Sequence, residues 1–331
     1  MPAEELPAPQ ISASLPGELW GITAYFNPAG YKNKLQNLRM FAERVRSQGV
    51  KLMVVELAFG RSPFEVPEEL CDVLERRRSD AVLWQKERLM NIGVDLLPSA
   101  CDKVALLDGD ILFENDDWVE ETATLLESYC VVQPFDTAYW LAKGMLTAPT
   151  DDVGLGNREG QSLPSMAYAM SHTADRREAF AHYHKNGHLG FAWAVRRWLL
   201  KKHRLYDRQI LGSGDFDFGH AIYGDEDYWN GRSWMVHRVS PKLLADIVKW
   251  STALYHDVHG SVSYVPGRVL HLWHGDQKDR QYCDRLDILK ICDFDPEVDL
   301  VKNEDDAWIW GSEKPQLHKW AQEYFHSRKE E

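Results

Sequence analysis

The sequence predicts an α/β protein with a mostly parallel, Rossmann-like sheet flanked by helices. Three observations predict it. Short apolar runs of buried-strand character recur at residues 19–26, 51–58, 102–107 and 130–135. Segments of helical periodicity separate them. Polar residues, Asn27, Glu56 and Asp108, stand at the carboxyl ends of these runs, where sheets of this kind bind ligands.

The first run, 19–26, is aromatic and β-branched and stops at the turn Asn27-Pro28-Ala29-Gly30. Leu35, Leu38, Phe41, Ala42 and Val45 then recur at helical spacing over 33–48, and Gly49 ends the pattern. The strand 51–58 completes a strand, helix, strand unit. A helix at 82–97 precedes the strand 102–107, which runs directly into Asp108-Gly109-Asp110. Asp116 can cap a helix reaching about Ser128, before the strand at 130–135. From 146 to 187 the pattern dissolves into glycine, proline, serine and histidine, a length that fits either a lid or acceptor loop or a disordered insert. Order resumes with a strand at 189–195, a basic helix from Arg196, a helix at 241–254 and a last strand at 268–274.

We therefore expect a disordered tail over 1–17, one main domain over 18–293 and a carboxyl-terminal tail over 294–331 packed on it. Within the domain, the segments 18–136 and 187–293 stand on either side of the 146–187 loop. The hydrophobic and charged fractions, 44% and 27%, are those of a soluble globular chain. Neither a signal peptide nor a membrane-spanning run is evident, so the expectation is a cytoplasmic protein without stable membrane insertion. Cys71, Cys101, Cys130, Cys283 and Cys292 lack paired spacing and read as reduced thiols. A net charge of −13 argues against wholesale nucleic-acid binding. Arg196, Arg197, Lys201, Lys202, His203 and Arg204 could nevertheless form a local positive patch.

Two carboxylates separated by one glycine at the end of a buried strand offer hard oxygen ligands for Mg²⁺ or Mn²⁺. Three other Asp-x-Asp triplets occur, at Asp215/Asp217, Asp225/Asp227 and Asp293/Asp295, but only Asp108/Asp110 follows an uninterrupted apolar strand. Burying two adjacent carboxylates without a cation is costly. Further chemistry-bearing segments lie at 84–93, with Lys86, Arg88 and Asn91, and at 187–196, with Gly190, Phe191 and Trp193. Asp215 and Asp217 occupy a third at 211–217, and His271, His274, Lys278 and Arg280 a fourth at 268–285.

Taken in order from residue 20 to residue 289, these motifs resemble the GT-A class of glycosyltransferases, its family 2-like and galactosyltransferase-like enzymes. The resemblance implies the GT-A, or nucleotide-diphospho-sugar transferase, fold, with 18–293 the catalytic domain, 18–136 its nucleotide-binding half and 187–293 its acceptor and metal-closing half. It would place Ala24, Tyr25 and Asn27 by the nucleotide and Glu56 by the base or ribose. Asp108 and Asp110 would hold the metal, Asp108 also facing the donor. Lys86 and Arg88 would neutralise the diphosphate, and Asn91 would position the sugar or the aspartate pair. Gly190, Phe191 and Trp193 would underlie donor sugar and acceptor. Asp215, or its competitor Asp217, would be the general base, although Phe216 interrupts the paired acids usual in the class. His274 would join the metal, with His271 the alternative, and Lys278 and Arg280 would meet the phosphates. On a strand these two histidines face opposite sides, so both can reach one ion only if the chain turns, and Gly275 supplies a place for that.

The expected protein is a Mn²⁺- or Mg²⁺-dependent, hexosyltransferase-like enzyme that moves a sugar from a nucleotide-diphosphate donor, a UDP-sugar, to an acceptor hydroxyl. Direct displacement would invert the anomeric centre; a retaining course stays open. The acceptor would be a saccharide or other glycan. The alternatives are a phage-type DNA glycosyltransferase acting on a hydroxymethylated base, reached by base flipping, and a non-catalytic nucleotide-sugar-binding module. A nucleotidyltransferase would carry a glycine-rich basic loop after the first strand, and residues 27–32 are too poor in glycine for that.

Overall fold

Strand β1 (Glu18–Phe26) sends Trp20, Ile22 and Phe26 to one face and Leu19 and Tyr25 to the other, and all five are buried. Burial on both faces is why such a run reads as continuously apolar. The computed structural model describes residues 8–149, 154–156, 158–173, 175–225, 231, 236–281 and 284–331. Helix α1 (Lys32–Ser47) lays Leu38, Phe41, Ala42 and Val45 on the Leu19 face. β2 (Lys51–Phe59) and β3 (Val73–Ser79) extend the sheet in parallel from β1. α2 (Lys86–Leu96) covers the Ile22 face with Leu89, Met90, Ile92 and Val94, and leads to β4 (Cys101–Leu107), parallel to β1 on its other side.

The chain continues through β5 (Ile111–Phe113), α3 (Trp118–Leu125), β6 (Val131–Gln133), β7 (Thr137–Trp140), β8 (Gly154–Leu155) and β9 (Gln161–Pro164). Three short helices follow, α4 (Met166–Ser171), α5 (Arg176–Ala181) and α6 (Tyr183–Asn186), then β10 (Ala192–Arg196), α7 (Arg197–His203), α8 (Gly214–Tyr223) and α9 (Pro241–Val258). The last elements are β11 (Val262–Tyr264), β12 (Arg268–His271), α10 (Asp287–Ile291), β13 (Leu300–Lys302), β14 (Trp308–Trp310) and α11 (Pro315–Ser327).

The main sheet has the order β11-β6-β10-β4-β1-β2-β3 and is parallel except for β10, which runs antiparallel between β4 and β6. A second sheet has the order β5-β12-β7-β9-β8. β5 starts directly after Asp108-Gly109-Asp110, so this tripeptide is where the chain leaves the first sheet for the second. No helix among the described residues is long and apolar enough to cross a membrane.

Several expectations are corrected here. Residues 8–17 do not float free of the domain. Ile11 and Ala13 donate backbone hydrogen bonds to Ser128 and Glu127, and Lys103 Nζ donates to the Leu15 and Gly17 carbonyls. Strand β3 has no apolar run to announce it, because it is a sheet edge whose Glu75, Arg76, Arg77 and Arg78 meet solvent and partners. The strand expected to reach 274 ends at His271, and the one expected from 189 starts at Ala192, after Phe191 takes φ +79°. The segment 146–187 contains β8, β9 and three short helices among its described residues. Residues 300–327 form a hairpin and a helix whose Phe325 packs on Phe26 and Trp84. The described cysteines, Cys71, Cys101, Cys130 and Cys292, are unbridged; Cys283, like Asp227, lies outside the described residues.

The residues expected to form a positive patch engage partners within the fold. Arg196 is buried and donates to the Leu126 and Ile11 carbonyls, and Arg197 caps carbonyls of Val94, Leu97, Pro98 and Cys101. Lys201 and Arg204 pair with Asp95, and Lys202 and His203 with Asp257. These contacts cap the carboxyl end of α2 and tie α7 to α9, so the segment reads as structural.

Candidate active site

A cavity of about 640 Å³ opens where the carboxyl ends of β1 and β4 meet the second sheet. Its floor is Asp108-Gly109-Asp110. The Asp108 N–H donates to the Phe191 carbonyl at 2.8 Å, and the Asp110 carbonyl accepts from Leu272 N–H at 2.8 Å. A Cβ on Gly109 would sit 3.1 Å from Leu38 Cδ1 and 3.3 Å from Thr23 Oγ1, so the close approach of α1 and β1 leaves little room there.

The Asp110–Leu272 bond continues the β5–β12 pairing and carries the two histidines to Asp110. Because the strand ends at His271, the chain turns before His274 and both rings come to one side. His274 Nε2 lies 3.0 Å from Asp110 Oδ2, His271 Nε2 3.9 Å from Asp110 Oδ1, and the two Nε2 atoms are 3.0 Å apart. His271, expected as the alternative to His274, therefore stands beside it rather than in its place. Asp110 Oδ1 is buried without a hydrogen-bond partner, and one donor atom from each of Asp110, His271 and His274 lies within 4.8 Å of the others. A carboxylate and two imidazoles with an unsatisfied buried oxygen fit a divalent cation. Burial holds the His271 ring well below the usual histidine range, keeping it neutral as a ligand must be. Burial pushes the Asp110 carboxyl up, but His274 and His271 outweigh it and hold the group well below its usual range.

Asp108 turns away from that group. Its Oδ1 accepts from Lys86 Nζ at 3.0 Å, and the same ammonium reaches Asp215 Oδ1 and Oδ2 at 2.9 and 3.0 Å. Burial raises the Asp108 carboxyl to about 6, against the pull of Lys86. Burial opposes the charge on Lys86 too, yet Asp108 and Asp215 hold it firmly protonated. Lys86 is the first residue of α2, and the turn before it is pinned by Gln85, which exchanges hydrogen bonds with the Trp308 backbone at 2.7 and 3.0 Å. Asp215 is placed by the first turn of α8 and faces the cavity.

The other predicted residues divide clearly. Ala24, Tyr25, Gly190, Phe191 and Arg280 line the cavity. Phe191 stacks on His271 at 4.7 Å, so it supports the ring, and Arg280 Nη2 lies 2.7 Å from His274 Nε2. Asp217 is fully buried in α8 and does not line the cavity. Trp193 is core, its indole N–H bonded to the Leu189 carbonyl. Glu56 is buried and accepts the Glu65 and Val66 N–H groups, clamping the loop after β2. Asn27 closes its own turn by bonding the Tyr31 backbone. Arg88 pairs with Asp207 and Asp306 under the β13–β14 hairpin, and Lys278 pairs with Asp276 in solvent. Asn91 bonds Leu205 N–H and carbonyl, both at 2.9 Å, and Asp207 at 3.0 Å. Asn91→Ala should thus lower stability by about 1–3 kcal/mol in a urea melt and leave nucleotide affinity unchanged.

Sequence reasoning passed over Lys34, Trp84, Trp140, His188, Arg285 and Arg328, all of which line the cavity. Trp84, His188 and Arg285 lie within the segments singled out at 84–93, 187–196 and 268–285 but were given no role there, whereas Lys34, Trp140 and Arg328 lie outside every such segment. It also passed over Glu87, buried beside Lys86, whose carboxyl burial pushes up to about 8. Between about pH 4.5 and 8 the folded state keeps this proton while the unfolded chain has released it, so stability falls as pH rises through that window. Glu87→Gln should therefore stabilise the protein at pH 8, and the gain should vanish toward pH 4.5 in melts run across that range.

No family model matches the chain, and no curated protein matches it. Solved structures similar to it include Drosophila β1,4-galactosyltransferase 7 complexed with manganese, UDP-Gal and xylobiose. That match has 11% identity and a TM-score of 0.37, and covers 75% of this chain but 64% of that one. Residues 1–349 of S. aureus TarS match at 11% identity, covering 73% and 70%, with a TM-score of 0.38. Glucosyl-3-phosphoglycerate synthase of Mycobacterium tuberculosis, with Mn²⁺, UDP and phosphoglyceric acid, matches at 11% identity, covering 91% and 90%, with a TM-score of 0.40.

Proposed function

We propose that this chain is a divalent-metal-dependent glycosyltransferase that moves a sugar from a nucleotide-diphosphate donor, a UDP-sugar, to an acceptor hydroxyl. The observation that carries the reading is one cavity in which Asp108-Gly109-Asp110 joins two charge clusters. On one side stand Asp110, His271 and His274, and on the other Lys86 with Asp215. Mn²⁺ or Mg²⁺ on the first cluster would act as a Lewis acid toward the departing diphosphate.

Lys34, Arg280, Arg285 and Arg328 line the same cavity and offer cationic groups to the phosphates. Trp84 and Trp140 offer apolar faces to nucleoside and sugar rings. Asp215 takes the proton of the acceptor hydroxyl as its oxygen bonds to the anomeric carbon. The bond from that carbon to the phosphate oxygen breaks, and the diphosphate leaves with the electron pair. Lys86 orients Asp215 from below. One displacement of this kind inverts the anomeric centre, and a glycan is the acceptor we favour. The pairing of Lys201, Lys202 and Arg204 with Asp95 and Asp257 supports the glycan over DNA.

The test is a screen of nucleotide sugars against glycan acceptors with Mn²⁺, followed by mass spectrometry for nucleotide diphosphate and glycosylated product. Release should stop with EDTA and return with added Mn²⁺. Donor binding without release or transfer across the panel would favour the non-catalytic module.

A further inference from the structure

Glu330 is buried, 1% exposed, at the edge of the cation cluster. Its Oε1 lies 3.2 Å from His274 Nδ1, on the side of the ring away from Asp110, and its Oε2 lies 3.4 Å from Lys34 Nζ. Arg328 Nε donates to the same carboxylate at 2.6 Å. A carboxylate oxygen set against an imidazole nitrogen, with Lys34 and Arg328 holding the rest of the group in place, is positioned to accept an N–H from that ring.

The segment carrying it is held in register. Tyr31 O–H reaches the Phe325 and His326 carbonyls at 3.0 and 2.9 Å and accepts the Lys329 N–H at 3.1 Å. Gly275, just after His274, has φ +95°, and a Cβ there would lie 2.9 Å from the Lys329 carbonyl oxygen. The turn that frees His274 from the strand direction is therefore packed directly against the backbone beside Glu330.

We infer that Glu330 is a positioning residue for the cation site: it accepts the Nδ1–H of His274, fixing the tautomer and ring plane so that the Nε2 lone pair faces Asp110 and the ion. A carboxylate behind a ligating histidine does this in metal sites generally, and its loss weakens metal affinity by about 10–100-fold. The inference rests on the reading of Asp110, His271 and His274 as a cation site.

The experiment measures Mn²⁺ affinity of the full chain by calorimetry or electron paramagnetic resonance, alongside metal-free melting temperatures. Glu330→Ala should lose about 10–100-fold in affinity. Glu330→Gln, which keeps an acceptor oxygen, should recover part of it. Adding Glu330→Ala to His274→Ala should cost nothing further. Parental affinity in Glu330→Ala, or full additivity with His274→Ala, overturns the inference. A measurement without variants stands beside these: in the Zn²⁺-loaded parent, nitrogen NMR should show the His274 proton on Nδ1, and a proton on Nε2 overturns the inference. A parent protein that binds neither ion defeats the cation site itself, a result distinct from a parent that binds and is unmoved by Glu330→Ala.

Discussion

Asp110→Ala should lower metal-dependent sugar transfer by on the order of 10³-fold and abolish measurable Mn²⁺ binding at micromolar concentrations. Asp110 supplies the one carboxylate of the cluster, and its Oδ2 sits 3.0 Å from His274 Nε2. Removing it leaves two imidazoles facing each other, a much weaker site for a hard cation. The fold should survive, because the contact joining β5 to β12 uses the Asp110 carbonyl and Leu272 N–H, which alanine keeps. Mn²⁺ titration, circular dichroism and turnover, measured on one preparation, separate loss of site from loss of structure. Undiminished turnover would overturn the metal assignment. Asp108→Ala should behave differently, since Asp108 pairs with Lys86. It should disturb turnover more than Mn²⁺ affinity.

Asp215→Asn should lower kcat by about 10²–10⁴-fold, the usual worth of a positioned general base, with little change in donor affinity. The amide keeps the shape and one acceptor oxygen for Lys86 but cannot take the acceptor's proton. Asp217→Asn is the control. That side chain is fully buried in α8 and does not reach the cavity, so its replacement should act on thermal stability and spare kcat. Equal losses in kcat from the two variants would remove Asp215 from the proposed role. Single-turnover kinetics with saturating donor reads the chemical step and keeps product release out of the comparison.

Much of the fold was legible because strands buried on both faces and one-sided helices leave strong periodic signals. The runs at 19–26, 51–58 and 102–107 became β1, β2 and β4 nearly residue for residue. The charged edge strand β3 was not legible, since an edge needs no apolar run. Asn91 and Arg88 show the matching failure at the site. A polar residue in a helix next to a candidate motif looks the same in sequence whether it faces the ligand or a neighbouring loop, and these two face Leu205, Asp207 and Asp306.

The sequence by itself determined the parallel α/β plan and the acidic tripeptide at a strand end, because both are local patterns of hydrophobicity and charge. It also determined that His271 and His274 needed a turn between them to share an ion. Only the tertiary structure decided that the turn exists, since it depends on where β12 stops pairing with β5 and β7. The same holds for the division of the two aspartates, Asp110 going to the histidines and Asp108 to Lys86. Glu330 lies 56 residues from His274 along the chain. That contact is set by long-range packing of the last helix on β1 and α1, which no local pattern records.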